Sequence, residues 1–212
     1  MLPQEVNASY SPTNNEIVFP AGILQSPFFD YEADPAFNYC GIGATIGHEI
    51  THGFDQSGSQ FDAEGNLVNW WSEEDLAEFE ALAAEVAAQY DAVEALPGLN
   101  VDGDLTIGEN IADMGGLQIA YDALQATLAA EGDPGLIEGL TQEERFFIAY
   151  AYSWAEKARE QAIRTQVLTN EHAPAAVRAV QPARNMDRFF ETFGIEPADP
   201  MYLPPEERVI IW

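Results

Sequence analysis

Two histidines four apart, in the run His48-Glu49-Ile50-Thr51-His52, constrain this chain more than any other feature. On an α-helix, residues four apart share a face, so both imidazoles aim at one point. Zinc binds neutral imidazole nitrogen at about 2.0–2.1 Å, and a catalytic zinc site keeps one position for water. Glu49 stands beside the first ligand, where its carboxylate can take a proton from that water. The preceding run Tyr39-Cys40-Gly41-Ile42-Gly43-Ala44-Thr45-Ile46-Gly47 is small and apolar, which predicts a buried helix over about Ile42 to Asp55. Buried imidazoles need partners: a metal on one nitrogen and a carboxylate on the other. The fold must therefore hold this helix inside and bring a third ligand across from another element.

The best source of that ligand is Gly108-Glu109-Asn110-Ile111-Ala112-Asp113. Glu109 and Asp113 lie on one face of a helix predicted over Thr106 to Ala130. Like charges at that spacing repel, and a cation beside them reverses the sign. Glu109 would bind one zinc per chain, completing a two-histidine, one-glutamate set. Asp113 would accept the free N–H of a ligand histidine. A competing reading makes Thr106 an N-cap and Glu109 its capping-box partner. That explains Glu109 but neither Asp113 nor Gly108 in the first turn. Gly115-Gly116 further along would let another element pack close.

The remaining chain reads as a mainly helical α+β domain. Short β-prone runs, Val6–Tyr10 and Glu16–Phe19, flank a turn at Pro12-Thr13-Asn14-Asn15. Gly58 to Asn69 reads as loop or short hairpin. Ser72 caps a helix with Asp75 at N3, whose apolar face is Leu76, Phe79, Leu82, Val86 and Tyr90. Pro97 to Asp104 reads as a loop. Thr141 starts a largely buried aromatic helix with Glu144 at N3, and short helices are expected near 174–181 and 184–193. With 36 acidic and 8 basic residues the net charge is −28, a field that repels nucleic acid and anionic membranes. The same field could steer basic peptides or simply act as a solvated coat. No apolar run is long enough to cross a membrane.

The motifs together resemble the catalytic region of the neprilysin-like zinc metallopeptidases, family M13. The resemblance rests on Val6-Asn7-Ala8-Ser9-Tyr10, on Ile17 to Gln25, on Gly47 to Asp55, on Leu67-Val68-Asn69-Trp70-Trp71, on Gly108 to Asp113 and on Trp212. It implies a thermolysin-like zincin catalytic domain with a small N-terminal β region, and zinc held by His48, His52 and Glu109. It also implies Glu49 as the catalytic carboxylate, Asp113 behind the ligands and His172 as the oxyanion partner. Arg178 would hold a substrate carbonyl, and Asn7 and Ala8 the extended substrate backbone. Ile23, Phe28, Ala44, Thr45 and Trp154 would line the pocket for the residue after the cut. Cys40 departs from the glycine usual there, and Ala44 and Thr45 are smaller or more polar than usual pocket residues.

Taken without the resemblance, several of these residues keep a plainer reading. His172 could stand at the start of a helix with Pro174 at N1 and Arg178 on its second turn, a cationic pair facing an oxyanion. It could equally be a loop histidine near a solvated arginine. Asn7-Ala8-Ser9 is also a glycosylation sequon, although an edge-strand asparagine that binds peptide backbone fits better. Cys40 reads as a small buried residue, or as a thiol that could compete for the metal.

The leading expectation is a zinc endopeptidase cutting short peptides before apolar residues. It would be a single domain over residues 1–212, without the helical lobe that covers the site in the family. The main rival is a catalytic-lobe fragment or subunit, zinc-loaded but weakly active without a homo-oligomer or a separate lid-lobe chain. A purely structural zinc domain fits poorly, because such sites are closed by four protein ligands. One cysteine excludes an intrachain disulfide, and the start lacks signal-peptide character, so a bacterial cytoplasmic location is expected.

Overall fold

A computed structural model describes residues 1–211; Trp212, part of the family resemblance, lies outside the described residues. The chain opens with an antiparallel ribbon of β1 (Ser9–Ser11) and β2 (Glu16–Val18), with Tyr10 opposite Ile17. Helix α1 (Pro35–Asn38) continues through a π-helical turn (Tyr39–Gly43) into α2 (Ala44–Thr51). The metal helix therefore starts earlier than the apolar run suggested. Asp34 is its cap, accepting from Phe37 N at 3.4 Å, and Pro35 supplies a preset φ at the first position. It also ends earlier than Asp55. His52 keeps helical dihedrals as the C-cap, and the chain then turns with Phe54 N donating to Thr51 O at 2.8 Å.

Helix α3 (Glu73–Asp91) starts at Ser72 as expected, with Asp75 N donating to its hydroxyl at 3.0 Å. The stretch expected as a loop, Pro97 to Asp104, instead holds β4 (Leu99–Asn100), which pairs with β3 (Glu94–Leu96) just before it in a second ribbon. Gly98 takes φ +74° between them, a conformation open to glycine without strain. Helix α4 (Gly103–Glu131) is capped by Asp102, not Thr106. The Thr106 hydroxyl instead donates back to Asp102 O at 2.8 Å. Glu109 therefore lies inside the helix, and the capping-box reading of it is removed.

Helix α5 (Gln142–Ser153) shows the expected capping box: Thr141 N donates to Glu144 Oε2 at 2.8 Å, and Glu144 N to Thr141 Oγ1 at 3.2 Å. Helix α6 (Glu160–Thr169) was not foreseen; its only buried residue is Val167, so it lacks a strong apolar stripe. Three short helices follow: α7 (Ala175–Arg178), α8 (Gln181–Arg184) and α9 (Asp187–Phe193). Pro174 is the cap of α7 rather than its first residue.

The seam between α2 and α4 positions the site. A Cβ on Gly116 would stand 2.6 Å from both Ala44 O and His48 N, and one on Gly47 would meet Gly116 at 2.9 Å. Only glycine at both places lets the backbones approach so closely. On one side of the seam a core of Cys40, Leu117, Tyr121, Leu124, Phe146 and Phe190 joins α4, α5 and α9. On the other, Val86, Tyr90, Val101, Met114 and Val177 join α3 to α4 and α7. The architecture is mainly helical α+β, with a small β ribbon at the N-terminal end. No described helix is long and apolar enough to cross a membrane.

Candidate active site

A cleft of about 600 Å³ opens over the α2–α4 seam. His48 and His52 meet there with their Nε2 atoms 3.0 Å apart, from adjacent turns at the end of α2. Glu109 comes across from α4, with Oε2 3.4 Å from His48 Nε2 and Oε1 3.5 Å from His52 Nε2. An ion bonded tetrahedrally at about 2.0–2.1 Å separates its ligands by roughly 3.3 Å. The three observed separations bracket that value, so the donor set fits zinc.

Each ligand ring is held from behind. Asp113 Oδ1 lies 2.8 Å from His48 Nδ1, and Asp55 Oδ2 lies 2.7 Å from His52 Nδ1. A carboxylate on Nδ1 draws the ring hydrogen there and leaves the Nε2 lone pair facing the metal position. The two lone pairs then face each other, a contact that a proton or a metal must fill. With no ion bound a proton does so. Burial opposes the charge, but hydrogen bonds to Asp113 and Glu109 push His48 up to about 9. Asp55 was missed as a functional residue. The signal was present in its place three residues after His52, at the turn that ends α2. Its other oxygen accepts from Ser57 N at 2.8 Å and Gly58 N at 2.7 Å, which fixes the carboxylate in the turn.

Arg178 sits deeper than a carbonyl-binding role alone would require. It is buried, with Nε 2.7 Å from Asp113 Oδ2 and Nη2 2.7 Å from Asp113 Oδ1, a bidentate pair. Nη2 also reaches Glu109 Oε2 at 3.2 Å, and the guanidinium lies 4.2 Å over the Trp154 ring. Burial disfavours ionising Asp113, yet the Arg178 charge holds it far below the usual carboxylate range. The solvated-arginine reading is removed by this burial.

Glu49 is 4 % exposed, and its Oε2 has no hydrogen-bond partner among the described residues. Burial pushes its carboxyl up, toward the range where a group can both take and return a proton. His172 stands at the rim in the loop before α7, its Nε2 3.2 Å from Glu109 Oε2 and its Nδ1 2.9 Å from Asn170 Oδ1. Burial lowers its pKa.

The other residues singled out from the sequence line the same cleft. Asn7 and Ala8 lie just before β1, whose residues Ser9 and Tyr10 also face the cleft. Ile23, Phe28, Ala44, Thr45 and Trp154 are among its lining residues. The Thr45 hydroxyl donates to Gly41 O at 3.1 Å, so it adds little polarity. Phe28 is tied to the π turn through its carbonyl, which accepts from Ile42 N at 2.7 Å. Cys40 is buried on the same wall, its thiol 3.0 Å from Phe37 O and pushed up by burial. Its sulfur belongs to the packing and is no part of the group formed by His48, His52 and Glu109.

A two-turn histidine pair and a glutamate from a second helix form a group that could hold a metal ion, with a buried carboxylate adjacent. The sequence profile of peptidase family M13 matches residues 7–209, and the chain belongs to that family. It is 45 % identical to neprilysin-11 of Caenorhabditis elegans over 99 % of this chain and 25 % of that protein. It is 42 % identical to the neutral endopeptidase of Lactobacillus helveticus over 97 % of this chain and 30 % of that protein. The crystal structure of Mycobacterium tuberculosis zinc metalloprotease Zmp1 in complex with inhibitor superposes with a TM-score of 0.95 at 46 % identity. That match covers 99 % of this chain and 33 % of that one. The chain thus spans about a quarter to a third of the relatives it matches.

Proposed function

We propose that this chain forms the catalytic part of a zinc-dependent endopeptidase acting on short peptides, with a preference for cutting before apolar residues. The observation that carries the reading is the meeting of His48, His52 and Glu109 beside Glu49, whose Oε2 has no hydrogen-bond partner among the described residues. Zinc held by those three residues would acidify water and polarise a carbonyl. Glu49 takes a proton from the attacking water, whose oxygen bonds to the scissile carbonyl carbon. It then delivers that proton to the amine as the C–N bond breaks. His172, when protonated on both ring nitrogens, donates from Nε2 to the negative oxygen of the intermediate. Asn7 and Ala8 align the substrate backbone by strand addition along β1. Arg178 orients Asp113 and Glu109 and offers a cation near the carbonyl of the residue after the cut. The apolar wall from Ile23 to Trp154 takes that residue's side chain.

Glu49→Gln tests the reading. The variant should keep zinc and lose peptide cleavage by a factor on the order of 10² to 10⁴. Cleavage at the native rate in the zinc-loaded variant would sink the mechanism. The pocket assignment is tested separately with a peptide library, in which cuts unrelated to apolar residues would remove it.

A second reading is that full turnover needs a further partner. It is favoured by exposed apolar side chains in the segment after α2, Leu67 at 70 % and Trp70 at 46 % exposure, with Trp70 edge-on to Phe54 at 6.5 Å. Solution mass measured together with turnover decides between the two. A monomer with turnover typical of an endopeptidase excludes the partner.

A further inference from the structure

Beyond the catalytic ligand set, the cleft holds another group of metal-binding atoms. Glu109, Glu171 and His172 each place one ligand atom within 4.8 Å of the others, and all three line the cleft that holds His48. The loop before α7 sets the chemistry of His172. Asn170 Oδ1 accepts from the backbone N–H of His172 at 2.8 Å, which identifies that atom as the amide oxygen. The same oxygen lies 2.9 Å from His172 Nδ1, so Nδ1 carries a hydrogen and donates it. In the neutral ring Nε2 then bears a lone pair. Nε2 stands 3.2 Å from Glu109 Oε2, with the exposed Glu171 beside them. A cation placed there is within reach of one imidazole and two carboxylates.

Charge points the same way. Glu49, Asp55, Glu109, Asp113 and Glu171 line the cleft against one guanidinium, that of Arg178, so a single divalent ion leaves an excess of negative charge. Glu109 can serve two ions, since Oε1 faces His52 at 3.5 Å while Oε2 lies 3.4 Å from His48 and 3.2 Å from His172. Arg178 Nη2 also donates to Oε2 at 3.2 Å, and that competition makes the outer site the weaker one. Imidazole with carboxylate oxygens selects an ion such as zinc over magnesium or calcium.

We propose that the cleft carries a second, weaker zinc site formed by Glu171, His172 and Glu109, and that filling it inhibits turnover. The ion occupies Nε2 of His172 and the space beside it that substrate must use. This rests on the assignment of His48, His52 and Glu109 to the catalytic zinc.

The zinc-loaded protein is dialysed against buffered free zinc, with zinc per chain counted by mass spectrometry and peptide cleavage read in the same samples. About one equivalent should bind first, with a second at roughly tenfold or more higher free zinc, and cleavage should fall with the second. Glu171→Gln should keep the first equivalent and the basal turnover. It should raise the free zinc needed for the second equivalent, and for half-inhibition, by about tenfold or more. One equivalent at every zinc concentration overturns the proposal. So does a second equivalent that binds Glu171→Gln as tightly as the original chain. If the first equivalent supports no cleavage, the peptidase reading fails, while the zinc counts still decide the second site.

Discussion

The floor and the rim of the cleft are built in opposite ways. The floor is two helices, α2 and α4, pressed together at glycines, with both ligand rings backed by carboxylates and Arg178 clamped across Asp113. The rim comes from connecting segments: Asn7 before β1, Phe28 before α1, His172 before α7. The floor holds charges that are stable only in each other's presence. The rim holds groups that water can satisfy, so it can adapt to peptide without disturbing the metal position. Stability and metal affinity should therefore answer to the floor, and turnover with a given peptide to the rim.

The sharpest way to break that division is Arg178→Ala, which leaves Asp113 buried without its cation. It should cost about 3–5 kcal/mol in chemical denaturation. A loss under about 1 kcal/mol would mean the clamp is not what holds the floor together. Gly116→Ala comes next, since its Cβ must displace backbone at Ala44 and His48. About 1–3 kcal/mol is expected in thermal unfolding, with zinc affinity falling in parallel. Zinc affinity retained in the folded variant would show that the seam does not set the ligand geometry.

Asp55→Asn should weaken zinc binding by about 10- to 100-fold with little effect on unfolding of the zinc-free protein. The pH dependence of zinc binding sharpens the same point. His48 in the ion-free protein is raised to about 9, so below that pH zinc must displace a proton. Affinity should rise about tenfold per pH unit from the unperturbed histidine range near 6.5 up to about 9, then level off. The sign for folding is opposite. Stability that the raised His48 gives the ion-free protein is complete below about 6.5 and is lost as pH climbs through 9. Asp113, held low, gives stability present above about 4 and lost on acidification. The smallest effect belongs to the rim: Asn7→Ala should change unfolding by less than about 0.5 kcal/mol while lowering kcat/KM for peptides.

The same contrast governs what could be read in the sequence. His48, His52, Glu109 and Asp113 were legible because helical periodicity converts spacing into direction, and the glycine pair at 115–116 announced a close approach. The bounds of α2 were not, because Asp34-Pro35 starts the helix before the apolar run, and a π turn carries it through Cys40 and Gly41. Asp55 escaped because it acts through a turn, where spacing gives no direction. The burial of Arg178 escaped for a related reason: a basic residue in a short helix reads as solvated until its partners from α4 are in place. Helix α6, with one buried residue, offered no periodic signal at all.

Zinc content is the most direct test of the ligand set His48, His52 and Glu109. Wild-type protein equilibrated at nanomolar free zinc should carry about one zinc per chain, and Glu109→Gln, folded by circular dichroism, should carry almost none. Wild-type protein without zinc, or Glu109→Gln binding it with unchanged affinity, would contradict a site assembled across the α2–α4 seam.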